Sequence, residues 1–267
     1  MLSSSERMGI FFDVLERLAP EAAKHFPFVQ PGQPETNDTT LYTLLNRLGA
    51  LPGFSAVLGV CEDGLPLLID LADPSPGSIL VIGDENSGKV QLLHAILASA
   101  SILNPVERLV FHVITPDPGA FESLLSFPNC QAVLSAYERD ASELVFQLSA
   151  LAEQRRTGRN QGGVELLVIH DLPEFVQHND YEANAYLRWL VSSGPDAMVW
   201  TLASVRTSQT WRIGDEFLDT FGTQLVGLTS SVQLNSGYPI SSRPLQLPGV
   251  FTAQLADEMV RFWVPQI

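Results

Sequence analysis

The chain has 267 residues, 45% of them hydrophobic and 17% charged, enough apolar material for one large domain with an appendage. Its formal net charge of −15, from 15 basic against 30 acidic side chains, argues against a protein that tracks a duplex through a broad basic face. Cys61 and Cys130 are too few and too far apart for a disulfide framework or a thiolate metal site, and no apolar run reaches the ~20 residues of a membrane span. Met1 to Arg7 lack the basic-then-apolar pattern of a secretory leader, so the expected compartment is the reducing cytoplasm.

In chain order, Ile10, Phe11, Val14, Leu15 and Leu18 recur at helical spacing within residues 7–25, up to the interruption at Pro20. Pro27, Pro31, Gly32 and Pro34 make residues 26–40 a linker or extended arm, and a short helix follows over residues 41–48. Residues 1–50 therefore read as an amino-terminal helical segment and linker, and residues 51–267 as one larger domain. The runs 54–60 and 66–71, joined across Glu62-Asp63-Gly64, form a β-hairpin pattern. Strands are expected over 108–114, 131–134, 164–169, 198–204 and 224–228, with helices from about Phe121, over 140–154, over 181–192 and briefly at Phe217-Leu218. Apolar strands alternating with helices indicate an α/β fold, a mostly parallel sheet covered on both faces, and the tail over 249–253 and 259–265 reads as a closing hairpin.

The most specific segment lies between the apolar strand Ser78 to Ile82 and the helix from Gln91. It reads Gly83-Asp84-Glu85-Asn86-Ser87-Gly88-Lys89-Val90 and carries one of only two lysines in the chain. This is G-x-x-x-x-G-K between strand and helix, a P-loop in its required context. Backbone N–H groups of such a loop, with the positive end of the next helix, cradle phosphates, and Lys89 adds a point charge. Gly83, Asn86, Ser87, Gly88, Lys89 and Val90 are thus the candidate nucleotide-binding residues, with ATP the expected ligand. Mg²⁺ is not supported, because Val90 stands where a Ser or Thr hydroxyl would hold the metal. The apolar strand Leu166 to Ile169 closes on His170-Asp171, so a histidine replaces the first of two expected acids, and Asp171 is left as a candidate base or as a polar helix cap. Asp84 and Glu85 lie inside the loop, and at about 6 Å each would disfavour a phosphate on the order of 1–3 kcal/mol.

Further segments fall in a familiar order. Gly64 to Ala72 matches a "G-x-P-hydrophobic-x-x-D-L-A" stretch, Ile114-Thr115-Pro116-Asp117 an Ile-Asp-Pro-Lys strand end, and Glu153 to Arg156 an "E-M-x-R-R" helix. Leu167 to Phe175 matches a D-E-F-A-D-L motif, Leu202 to Ser208 an "A-T-Q-R-P-S" segment, and Gly222 to Val226 with Ser230-Ser231 a "P-T-R-I-A-F…S-S" strand. Together these resemble the FtsK/SpoIIIE branch of the FtsK/HerA P-loop ATPases across residues 54–265. The resemblance implies a RecA-like core, ATP as ligand, a ring of like or unlike subunits, and DNA or protein as cargo. It also implies a sensor role for Arg206 and an arginine supplied to a neighbouring subunit, for which Arg155 and Arg156, with Arg159 nearby, are candidates. Net charge does not support DNA. The departures fall on chemistry, at Val90, His170, Asp171 and Val205, and nothing resembles the family's helical coupling region or winged module. The expectation is a degenerate domain with weak or absent hydrolysis, acting as a structural or regulatory subunit in a homo-oligomer or beside an intact ATPase. An active ring-forming ATPase, and a partner-binding module recruited through the apolar residues of Met1 to Thr40, are the alternatives.

Overall fold

Ten apolar runs separated by turn residues become ten strands. These are β1 (Ser55–Cys61), β2 (Pro66–Asp70), β3 (Ile79–Gly83), β4 (Leu109–Thr115), β5 (Cys130–Ser135), β6 (Val164–Ile169), β7 (Val199–Arg206), β8 (Thr223–Val226), β9 (Val250–Leu255) and β10 (Glu258–Trp263). The helices are α1 (Leu41–Leu48), α2 (Lys89–Leu103), α3 (Arg139–Arg156), α4 (Leu172–His178), α5 (Tyr181–Ser193) and α6 (Asp215–Leu218). The structure is a computed structural model and describes residues 40–48, 51, 53–160, 162–229, 247–255 and 258–267. The expected helix over 7–25, the arm up to residue 39 and Ser230-Ser231 lie outside the described residues.

All ten strands join one sheet in the order β2-β1-β10-β9-β8-β3-β7-β6-β4-β5. From β8 to β5 every pairing is parallel, and from β8 to β2 every pairing is antiparallel. Inside its β5 edge, the parallel part is built around strands buried on both faces, as unbroken runs such as Ile79-Leu80-Val81-Ile82 require. Alternation then sorts side chains between two cores. Val81, Val113, Val168 and Leu202 point to the α2 side, with Trp200, whose indole N–H donates to the Leu71 carbonyl at 2.9 Å. Ile82, Ile114, Ile169 and Val205 point to the opposite side, with buried residues of α3, α4 and α5. A third, smaller cluster seats α1 on Val57, Leu68 and Ala98, and Leu41 N–H donates to the Gln266 carbonyl at 2.7 Å.

Two local expectations change. The helix from Phe121 is a 3₁₀ segment, Pro118–Ser126, with i→i+3 bonds such as Ala120 N–H to Asp117 O at 3.2 Å. Pro118 starts it, and only Phe121 and Leu124 are buried, too narrow an apolar stripe to hold an α-helix on the sheet. The chain after β6 also turns at once, across the two residues His170 and Asp171, into α4, a helix absent from the expected elements. The closing hairpin forms as expected, with Phe262 opposite Phe251 and Trp263 opposite Val250.

Candidate nucleotide-phosphate site

β3 delivers Gly83 to the carboxyl edge of the sheet, and the chain must reverse within six residues to start α2. It does so with Asn86 at φ 61° and Gly88 at φ 94°, left-handed values that asparagine and glycine tolerate best. At Gly88 no other residue fits, since a Cβ would stand 2.7 Å from the Gly249 nitrogen. The loop is pinned on two sides: Asp84 N–H donates to Leu228 O at 2.7 Å, and Gly249 N–H donates to Ser87 O at 3.0 Å. The Lys89 ammonium folds back across it, donating to Gly83 O at 2.8 Å, Asp84 O at 2.6 Å and Ser87 Oγ at 3.2 Å. Two carbonyls thus brace the loop, while the third and longest bond is the one a phosphate oxygen would take over. No side chain caps α2, and its first turn carries no acid, so the positive end of this 15-residue helix is not neutralised from within.

Beside the loop stand the ends of β7 and β6. Because Trp200 and Leu202 face α2, Ser204 and Arg206 follow on that face, whereas Val205 turns into the opposite core. Arg206 pairs in register with Gly83 itself. At the end of β6, His170 Nδ1 lies 2.8 Å from Ser204 Oγ, which also accepts from the Asp171 N–H at 3.1 Å. The His170 ring packs at a tilt against buried Phe121, centroids 5.4 Å apart, and Phe121 also meets the ring of His94 of α2 at 4.9 Å. Asp171 adopts φ 59°, is only 4% exposed, and receives the Arg206 guanidinium on Oδ2 at 2.8 Å. Its Oδ1 is buried and meets no hydrogen-bond partner among the described residues.

Burial dominates the electrostatics. It pushes the His170 imidazole down to about 4, with Asp171 opposing and Lys89 and Arg206 adding to the depression, so the ring is neutral near pH 7. Burial and then Arg206 lower Lys89 to about 8, against Asp171, Asp84 and Glu85. The hydrogen bond to Asp171 keeps Arg206 firmly charged. Glu85 is exposed, which screens its charge from the loop.

The structure brings Gly83, Asn86, Ser87, Gly88, Lys89, Asp171 and Arg206 to one edge. Val90 packs its methyl groups against the α2-side core. Arg155 and Arg156 sit elsewhere, at the amino-terminal ends of the strands. The Arg155 side chain is 9% exposed, donates to Ala197 O at 3.1 Å and lies 3.7 Å from Glu165, which ties it to its own chain. Arg156 is exposed and covers the Trp189 ring at 5.7 Å. Sequence reasoning missed Ser204 and Gly249. Parity along β7 could have placed Ser204, but nothing local marks Gly249 as a contact of the loop.

Comparison with solved structures finds the same architecture. Thermomonospora curvata EccC (ATPases 2 and 3), in complex with a signal sequence peptide, superposes with a TM-score of 0.71 at 17% identity, over 91% of this chain and 46% of that one. EssC (ATPases 2 and 3) from Geobacillus thermodenitrificans gives 0.68 at 11% identity, over 91% and 48%. The pCW3 conjugation coupling protein TcpA, with ATPγS, gives 0.61 at 14% identity over 97% and 95%. The chain has an FtsK/HerA-type P-loop ATPase fold. It spans just under half the length of the EccC and EssC chains. No family model matches the sequence. No curated protein matches it either.

FtsK/HerA-type ATPases imply a divalent cation beside the phosphates, and the residues here do not fit one. Val90 offers no oxygen, His170 is held by Ser204, and one Asp171 oxygen is committed to Arg206. No group of three or more His, Cys, Asp or Glu side chains suited to a metal occurs among the described residues. No helix among them is long and apolar enough to cross a membrane.

Proposed function

We propose that this is a degenerate FtsK/HerA-like domain that still holds a nucleotide phosphate at Gly83–Val90 and hydrolyses it weakly or not at all, serving as a structural or regulatory subunit. The observation that carries this reading is the split between an intact cradle and an altered reaction side. Lys89 braces the loop and α2 offers an uncapped amino terminus, yet Val90, His170 and the Asp171–Arg206 pair leave no oxygen set for a metal. Phosphoryl transfer rests on positioned charge, so losing both metal handles removes several kcal/mol of transition-state stabilisation, at about tenfold in rate per 1.4 kcal/mol. Named neighbours hold two ATPase units in one chain, and a domain of this length suits a place beside an intact unit of that kind.

A second reading, an active ring-forming ATPase, draws on one observation, the buried Asp171 Oδ1 with no partner, which a reacting water could meet. Phosphate release and thermal shift on the same preparation separate the two. ATP is expected to raise the melting temperature with no turnover above background, and Lys89→Ala to abolish the shift. Turnover on the order of 1 s⁻¹ that requires Mg²⁺ and Lys89 would establish the second reading instead.

A further inference from the structure

We propose that the loop takes a polyphosphate chain free of divalent cation, with the Arg206 guanidinium supplying the positive charge that a metal would bring. This rests on the reading of Gly83–Val90 as a phosphate cradle and specifies what that cradle accepts.

The argument starts from geometry. β3 and β7 are neighbours, about 4.8 Å apart, and Arg206 pairs in register with Gly83, the first residue of the loop. Strand parity turns both toward α2, the side on which Lys89 closes the loop. The Arg206 side chain is 42% exposed, and its one hydrogen bond among the described residues is to Asp171 Oδ2. A guanidinium has five N–H donors in a planar fork, so the remaining donors can meet phosphate oxygens in pairs. Asp171 is a positioning residue here: buried and fixed by Ser204 through its own amide, it holds the base of the fork at the loop's edge.

A metal in the same place would need what the site has given up. Mg²⁺ demands a near-octahedral set of oxygens, usually including a loop hydroxyl and a strand-end carboxylate. Val90 and His170 occupy those two positions, the first with methyl groups against the core and the second with a ring between Ser204 and Phe121. Lys89, Arg206 and the α2 amino terminus therefore form the positive side of the site by themselves. Arg206 lies close enough to Lys89 to make the ammonium harder to charge, a cost a polyanion between them would remove. Of the loop's own acids, Glu85 faces solvent, where its repulsion is screened.

The test is calorimetric titration of the full chain with ATP, once in excess EDTA and once in excess magnesium chloride, with inorganic tripolyphosphate as a third titrant. The expected dissociation constants for ATP agree within about threefold with and without the metal. Tripolyphosphate that binds comparably identifies the phosphate chain as the recognised group, and binding by ATP alone identifies a nucleoside triphosphate; either supports the inference. Saturation only in magnesium would overturn it while leaving the cradle intact, and no saturation by any titrant would overturn the cradle itself. Arg206→Gln is expected to weaken metal-free binding about tenfold, and Arg206→Lys to recover part of the loss. An Arg206→Gln protein with wild-type urea midpoint and unchanged metal-free affinity would also count against it. If Arg206→Gln does not fold, the comparison of EDTA with magnesium on the unmodified chain decides the matter alone.

Discussion

His170 carries a measurable trace of its unusual placement. A carboxylate at this strand end would be charged at neutral pH, whereas the buried imidazole, wedged between Phe121 and Ser204, has its pKa lowered from 6.5 to about 4. Between these values the unfolded chain binds a proton that the native protein does not. Stability is therefore complete above about pH 6.5 and is lost as the pH falls toward about 4. At 1.36 kcal/mol per unit, the loss from this one group is on the order of 3 kcal/mol. Carboxylates titrate in the same range, so the informative quantity is a difference between proteins. Urea midpoints taken across this window should fall more steeply for the unmodified chain than for His170→Gln, which cannot gain the proton. Parallel curves for the two would show that the ring is charged in the fold. Lys89 has the opposite task, because its three donors hold the loop together. Lys89→Met, which keeps length and loses every donor, removes three hydrogen bonds from the loop and should cost about 2–4 kcal/mol in urea unfolding as well as phosphate binding. In a loop whose lysine served only the ligand, stability without ligand would not change.

At the scale of elements, the parts legible in the sequence are those governed by short-range rules. Unbroken apolar runs gave β3, β4, β6 and β7, G-x-x-x-x-G-K gave the turn into α2, and the Glu62-Asp63-Gly64 turn gave the β1–β2 hairpin. Parity within β7 puts Ser204 and Arg206 on the loop side and Val205 in the core. What stays hidden is contact between remote segments. The end of α3 meets the amino-terminal strand ends, so Arg155 becomes an anchor for Ala197 O and Glu165, although a terminal Arg-Arg pair looks free in a sequence. Gly249 reaches the loop only because β9 enters the sheet beyond β8. Asn104, at the end of α2, is a further hidden joint. Its Nδ2 donates to Ser55 O at 3.0 Å and Ala100 O at 2.8 Å, and its Oδ1 accepts from Phe54 N–H at 2.7 Å, tying α2 to the antiparallel wing. Asn104→Ala strips a buried network of three bonds and should destabilise the fold by about 3 kcal/mol, read from the urea midpoint. ATP binding measured well below that midpoint should be unaltered, since the carboxyl end of α2 is remote from the loop.

For the whole molecule, the question is what a chain with this fold can act upon. A duplex-binding surface works by releasing counterions, and log affinity falls with log salt by about 0.9 for each phosphate neutralised. The 15 basic side chains oppose 30 acidic ones, and several of the former are already engaged. Lys89 is spent on loop carbonyls, Arg155 on Ala197 and Glu165, and Arg206 on Asp171. Arg212 lies 3.8 Å from Glu174, and Arg261 lies 3.7 Å from Glu62. The densest basic run, Arg155-Arg156 with Arg159, therefore offers two outward guanidiniums, one of them resting on Trp189. Twice as many acids as bases, with these cations already engaged, argue against the six or more phosphate contacts, at roughly one cation each, that give useful non-specific affinity at physiological ionic strength. Fluorescence anisotropy with a labelled duplex should accordingly show no saturation up to about 10 μM protein at about 0.15 M salt, with or without ATP. A saturable, steeply salt-dependent signal, lost on replacing Arg156 and Arg159 by Gln, would instead identify that corner as a nucleic-acid face and favour the active, DNA-translocating alternative. Without such a signal, the acidic surface and the altered metal side point the same way. On the proposed reading, the cargo of an assembly containing this domain is moved by another subunit.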